Sequence, residues 1–278
     1  MKPLSKISRT VILLSIVSLF NDVASEMLYP IMPLYLQSIG FSVLLIGILE
    51  GIAEATAGLS KGFFGRLSDV RGRRLPFVRL GYFLSAISKP LMVIITRHWW
   101  VFLARTLDRL GKGVRTGARD ALLSDEATPA SKGAVFGFHR SMDTLGAAVG
   151  PVIALLFLHF YPGAYVILFY LAFLPGLVSV LITLVLKEKP RINRPSPKGD
   201  GFFGFLTYVS RSNRQYKMLL TGLLLFALFN SSDIFLLLIV KHHGYSDTEM
   251  VGLYIFYNLV FALFSYPLGT LADKIGLK

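Results

Sequence analysis

Apolar residues run in stretches of about twenty along most of the chain, and charged residues collect between them. A hydrocarbon core about 30 Å thick takes a helix of about 20 apolar residues to cross. The pattern therefore predicts eight membrane-crossing helices, at 11–36, 43–64, 76–96, 99–122, 134–159, 164–186, 217–240 and 249–270. The first run carries Asp22 and Glu26 and has no small-residue cleavage site behind it, so it reads as a span rather than a removed signal peptide. The fourth is the weakest by hydropathy. Its segment RTLDRLGKGVRTGARDALL holds Arg105, Asp108, Arg109, Lys112, Arg115, Arg119 and Asp120. Each charge costs several kcal/mol against lipid at mid-depth. Either its charged half projects beyond the bilayer, or its charged face lines a watery space walled by protein.

Charge then orients these helices. Of the 29 Lys and Arg, all but Lys89, Arg97 and Lys241 fall within 2–9, 61–79, 105–140, 187–217 and 274–278. Basic junctions alternate with nearly neutral ones at 37–42, 97–98 and 160–163, and with the segment KHHGYSDTE at 241–249. Alternation of this kind is the positive-inside pattern. It makes the basic junctions and both ends of the chain cytoplasmic and places the protein in a bacterial inner (plasma) membrane. The net charge of +13 is thereby a topology signal and implies no nucleic-acid partner. Charged residues make up only 16% of the chain, against about 25% in soluble proteins. There is no cysteine, so disulfides and thiolate metal sites are excluded. No Gly-x-x-x-x-Gly-Lys-Ser/Thr segment exists to cradle a nucleotide phosphate.

The segment 187–216 differs from its surroundings, with Pro, Gly and many basic residues, and reads as a cytoplasmic linker with a short interfacial helix at FFGFLTYV. It divides the chain into a six-helix transmembrane half at 1–186 and the first two helices of a second half at 217–278. The second part echoes the first. Gly40-Phe41-Ser42 recurs as Gly244-Tyr245-Ser246, and Gly65-x-Leu67-Ser68-Asp69-x-x-Gly72 recurs as Gly269-x-Leu271-Ala272-Asp273-x-x-Gly276, both 204 residues on. Leu19-Phe20-Asn21 matches Leu228-Phe229-Asn230 at an offset of 209. Leu277 stands where the first copy has Arg73. Parallel repeats of six spans are one plan for secondary transporters.

These residues carry a resemblance. GRLSDVRGRR is similar to the loop signature between the second and third helices of the major facilitator superfamily, with Gly65, Leu67, Asp69, Gly72, Arg73 and Arg74 all matching. Arg105 resembles that family's fourth-helix arginine, with Asp108 and Arg109 in place of the usual glutamine and glycine. Gly146-Ala-Ala-Val-Gly150-Pro151 resembles its fifth-helix Gly-x-x-x-Gly-Pro motif, associated mainly with exporters; Ile153 and Ala154 replace the paired glycines that often follow. The resemblance implies an all-α polytopic bundle that carries a small solute by alternating access and needs no cofactor. It also implies that Gly65, Asp69, Gly72, Arg73 and Arg74 form a conformational-switch loop. The family has twelve spans or more, so the chain is expected to stop after the eighth, without the rest of the C-terminal half, and by itself not to transport.

Asp69 has a plainer reading as well, as a cap on a helix N-terminus paired with arginines. Asp22 and Glu26 stand one turn apart on the first span, and Glu50 and Glu54 one turn apart on the second. All are too costly to face lipid, so they point inward. They can relay a coupling proton, or they can pair with Arg105, Arg109, Arg140 or Lys89. Asp143 reads as the partner of Arg140 across one turn. As contacts to solute, Arg105 and Arg140 suit an anion, and Asp22, Glu26 and Asp108 a cation; Asp233 of the seventh span is placed like Asp22. Pro30 and Pro33 are expected to bend the first span. Gly47, Gly51, Ala55, Gly58 and Gly62 form a stripe for close helix packing on the second, as Gly146 and Gly150 do on the fifth. His139, His242 and His243 read as interfacial side chains, and no group of residues reads as a metal site. Proton-coupled efflux, proton-coupled uptake, and a receptor or scaffold that moves nothing remain open. A membrane enzyme would need a nucleophile–base pair or metal cluster, and none is evident.

Overall fold

The structure is a computed structural model that describes residues 7–129, 131–188, 206–230 and 233–275. Its helices are α1 (Arg9–Glu26), α2 (Met32–Ser38), α3 (Val43–Arg71), α4 (Leu75–Ile94), α5 (His98–Glu126), α6 (Lys132–Phe160), α7 (Tyr165–Val185), α8 (Leu206–Arg211), α9 (Arg214–Phe229), α10 (Asp233–His242) and α11 (Asp247–Ile275). No strand occurs among the described residues. Among the described residues, six segments are long and apolar enough to cross a membrane: Val43–Arg71, Leu75–Ile94, Lys132–Phe160, Tyr165–Val185, 214–242 and Thr248–Leu271. The molecule is an all-α, membrane-spanning bundle.

The segment expected as the first span is two helices, not one. Pro30 has no N–H to give to the carbonyl of Glu26, and its ring crowds that carbonyl. α1 accordingly stops at Glu26, and α2 starts at Met32 with Pro33 in its first turn. α5, expected as the fourth span, is not among these six segments, and it turns most of its charges inward while Lys112 is exposed. Arg105, Asp108, Arg109 and Arg115 are all buried, because α5 lies between α3 and α4 and turns its charged face to them. The remaining packing sets α6 and α7 against α1, α7 against α4, and α11 against α6.

The repeat is visible in the backbone. Val43–Arg71 and Asp247–Ile275 are both 29-residue helices at the offset of 204. Each follows a turn with a left-handed glycine, Gly40 at φ 92° and Gly244 at φ 88°. The hydroxyls of Ser42 and Ser246 then accept the backbone N–H three residues on, Leu45 and Glu249. Gly276 and Leu277 of the second copy lie outside the described residues, as does 189–205 of the linker. The described part of FFGFLTYV, LTYV, is helical in α8, which runs on to Arg211, while 202–205 lie outside the described residues; α9 starts at Arg214.

A small cluster of buried apolar side chains, Leu237, Met250, Val251 and Tyr254, joins α10 to α11, and the two larger clusters form layers. One holds Met27, Leu36, Ile46, Leu49, Met92 and Ala104; the other, toward the basic loops, holds Leu14, Val17, Val78, Val114, Ala118 and Leu122. On α3, α4 and α5 the polar residues 50–54, 85–89 and 105–109 fall between the two layers. The small-residue stripe expected on α3 makes one described contact: a Cβ at Gly47 would lie 3.3 Å from the ring of Phe235 of α10. A side chain at Gly51 or Gly58 would touch nothing within 4 Å. The tight seam comes from α5 instead: a Cβ at Gly113 would sit 2.5 Å from Ser60 Cβ, and one at Gly117 would sit 2.8 Å from Gly65 Cα.

Candidate functional site

The polar layer is a ladder of alternating charge across three helices. Lys89 Nζ of α4 lies 3.2 Å from Asp108 Oδ1 of α5. Asp108 Oδ2 lies 3.5 Å from Arg105 Nη1. Arg105 binds Glu50 of α3 with two hydrogen bonds, Nε to Oε1 at 2.7 Å and Nη2 to Oε2 at 2.9 Å. Arg109 Nη2 follows, 3.7 Å from Glu50 and 3.2 Å from Glu54. Three cations face three carboxylates, so the ladder is neutral. Serines fill the remaining valences. Lys89 Nζ donates to Ser85 O at 2.8 Å and to Ser25 Oγ of α1 at 3.2 Å, and Ser88 Oγ donates to Asp108 at 3.3 Å. Glu54 ends the ladder with its side chain half exposed. Pairing therefore accounts for Glu50, Glu54, Arg105 and Asp108 together.

Asp22 and Glu26 stand apart from the ladder. Neither has a cation within ion-pair distance among the described residues. Asp22 accepts a hydrogen bond from Asn21 Nδ2 at 3.2 Å. Glu26, at the proline break, accepts one from the Tyr254 hydroxyl of α11 at 2.5 Å. Tyr254 stacks on Tyr29 with ring centroids 5.7 Å apart, and the buried Asn258 donates to its carbonyl at 3.0 Å. Glu26 thus joins the first repeat unit to the second. Sequence reading did not single out Tyr254 or Asn258. Their only signal is a tyrosine and an asparagine four residues apart inside an apolar helix.

The other candidates lie elsewhere. Asp233 opens α10 with its side chain exposed. Arg140 is also largely exposed, 3.7 Å from Asp143 and 5.1 Å above the ring of Phe261 of α11. His139 is not interfacial: it is 4% exposed, against α1. Gly146 and Gly150 press α6 on α1. A Cβ at Gly146 would fall 2.5 Å from Leu19 O, and one at Gly150 would fall 2.6 Å from Met27 N. Pro151 continues the same buried face.

The basic-side loop is a knot within the first unit. Asp69 lies in the last turn of α3 and caps no N-terminus. Gly72 ends that helix at φ 61°, the left-handed conformation that glycine takes without strain. Arg74 reaches back to Asp69 at 2.6 Å and across to Asp125 at the end of α5. Glu188 supplies the carboxylate at the start of α4, accepting from Arg74 N at 2.8 Å and Leu75 N at 3.0 Å. Arg79 closes the circuit by donating to Thr183 O and Leu186 O at the end of α7, both at 3.2 Å. Gly65 faces Gly117 of α5, and Arg73 is exposed.

Comparison with known proteins gives these features a context. The family description Major Facilitator Superfamily matches residues 14–278. The chain belongs to the Major Facilitator Superfamily. An MFS-type transporter of Methanocaldococcus jannaschii is 33% identical over 280 residues, which cover 98% of this chain and 68% of that protein. An uncharacterized protein of Mycobacterium tuberculosis is 32% identical over 157 residues, 56% of this chain and 38% of that one. Among solved structures, the human organic anion transporter MFSD10 (TETRAN) superposes with a TM-score of 0.72 at 17% identity, over 97% of this chain and 73% of that one. The family and the fold point to a transporter rather than an enzyme.

Proposed function

We propose that the chain is the greater part of a secondary active transporter that moves a small solute by alternating access, with a proton as coupling ion and efflux as its direction. Six spans within 1–186, the first of them broken into α1 and α2, make one half, and 217–278 begins the other. The basic side faces the cytoplasm. One observation carries the proton reading: among the described residues no cation is within ion-pair distance of Asp22 or Glu26, as one is of Glu50 and Asp108. A partly buried carboxyl with no cation beside it is the group that a proton neutralises. Glu26 also touches Tyr254, so a proton there changes a bond between the two repeat units, and differential binding to two states is what drives a switch. Efflux follows from the likeness of Gly146-Ala-Ala-Val-Gly150-Pro151 to the exporter motif.

The test is flux in proteoliposomes, with the whole-length protein, a solute panel and an imposed pH gradient. Solute movement driven by the gradient, and lost in Glu26→Gln, is the expected result. Flux indifferent to the gradient would refute proton coupling, and solute drawn inward with the proton would reverse the direction.

The Gly65–Arg74 loop is the conformational-switch element in this reading. Asp69→Asn removes an ion pair whose carboxylate is exposed and whose buried arginine keeps Asp125, a loss of about 1 kcal/mol to stability. The variant is expected to insert normally and melt close to the parent. Its transport rate should fall roughly fivefold to a hundredfold, the range of a coupling energy between sites. A well-expressed variant with normal flux would limit Asp69 to a structural role.

A further inference from the structure

Neither His139 nor Asp143 belongs to the ladder. They lie one turn apart on α6, 4% and 5% exposed. Ser15 Oγ of α1 is 3.3 Å from His139 Nδ1. On the other side of the ring, His139 Nε2 faces Asp143 Oδ1 at 3.7 Å, beyond hydrogen-bond length, and neither atom has a hydrogen-bond partner. Buried polar atoms without partners are costly and rare. Here two of them face each other.

Asp22 enters from α1. A Cβ at Gly146, three residues past Asp143, would lie 3.1 Å from Asp22 Cβ, so the helices meet at this level. Asp22 and Asp143 act on one another electrostatically. From α5, Arg119 Nη1 donates to Ser18 Oγ at 3.1 Å, while its Nη2 is held by Asp120 at 3.0 Å. Arg115 of α5 and Glu26 of α1 act on Asp22, and Arg140 of α6 stands 3.7 Å from Asp143. α7, which also packs on α1, has no charged residue. α11 meets α6 two residues before His139, at Gly137, through Ser265 and Tyr266. Arg119, also engaged by Asp120, acts on Asp22, Asp143 and His139, and Ser18 bonds Asp143, so the seam gathers two carboxylates, an imidazole and one guanidinium.

We propose that Asp22, Asp143 and His139 share one exchangeable proton at the α1–α6 seam, a binding site separate from the Glu50–Arg105 ladder. With the proton on the ring, His139 donates through Nδ1 to Ser15 and through Nε2 to Asp143, which satisfies both orphaned atoms. With the ring neutral, a carboxyl of Asp22 or Asp143 holds the proton, and one N–H bond is exchanged for one O–H bond. Gly146 is what lets Asp22 come close enough to take part. The role of this proton in transport rests on the proton-coupled reading above; its binding does not.

A titration without solute decides the matter. The purified 278-residue chain in nanodiscs is followed against pH by the infrared carboxylic C=O band with 13C-labelled aspartate, and by 15N NMR of His139. His139 and one aspartate are expected to titrate together. Asp22→Asn and Asp143→Asn should each remove or displace that same step by about tenfold or more in proton affinity, as strongly interacting sites do. His139→Gln should displace it too. Independent titrations, each untouched by the other substitutions, would overturn the proposal. If a variant fails to fold, the wild-type spectra suffice: a His139 step that coincides with no carboxyl step, or no His139 step at all, also overturns it. Solute flux is not measured, so failure of proton-coupled transport is read separately in proteoliposomes.

Discussion

Arg105→Leu is expected to destabilise the protein by about 3–5 kcal/mol, the cost of leaving a buried charge without its partner. Arg105 is 5% exposed and Glu50 is 4% exposed. The leucine would remove two hydrogen bonds from Glu50, leaving it only Arg109 at 3.7 Å, a guanidinium already engaged by Glu54 at 3.2 Å. Asp108 would keep Lys89, so the damage centres on Glu50. The double variant Glu50→Leu with Arg105→Leu should recover a large part of the loss, because apolar side chains of similar volume can replace a buried pair without leaving an unpaired charge. Unfolding in mixed micelles, with thermal melting as a second readout, measures both. A single variant within about 1 kcal/mol of the parent would show that water reaches the pair and that the ladder is not a dry one.

Gly150→Leu is expected to be nearly as damaging. The Cβ alone would stand 2.6 Å from Met27 N and 2.7 Å from Val23 O. Both are backbone atoms of the segment that carries Asp22 and Glu26, and neither can rotate away. Overpacking of this kind costs about 1–3 kcal/mol and sometimes more. The strain has one outlet, a displacement of α1 from α6, which would also draw Glu26 away from the Tyr254 hydroxyl. Gly51→Ala and Gly58→Ala are the controls. Their new methyl groups meet nothing within 4 Å. They should leave stability unchanged or raise it by up to about 1 kcal/mol through helix propensity. A melting temperature for Gly150→Leu equal to that of Gly51→Ala would refute the close seam.

The contrast between these glycines shows where sequence reading reached its limit. Spacing alone marks Gly47, Gly51, Ala55, Gly58 and Gly62 as a packing stripe as firmly as it marks Gly146 and Gly150. Only one stripe meets a backbone among the described residues, because a spacing states which residues share a helix face and not which helix lies opposite. The carboxylates divide in the same way. Glu50 and Glu54 look like Asp22 and Glu26, each a pair one turn apart in an apolar run. α5 brings Arg105 and Arg109 to the first pair, while among the described residues no cation comes within ion-pair distance of the second.

Local properties of the chain were determined by its sequence alone. Hydropathy and its period set the helical spans, since each must hide its own backbone hydrogen bonds from lipid. Proline at position 30 set the break after Glu26, and the 204-residue repeat set which elements correspond. Partnership was decided only by the tertiary structure. Which carboxylate meets a guanidinium, that Tyr254 reaches Glu26 from 228 residues away, and that His139 is buried against Ser15 all depend on how helices cross. A helix of given amphipathicity can turn its polar face to any neighbour that offers counter-charges, and the choice among neighbours is settled by close packing of the whole bundle at once.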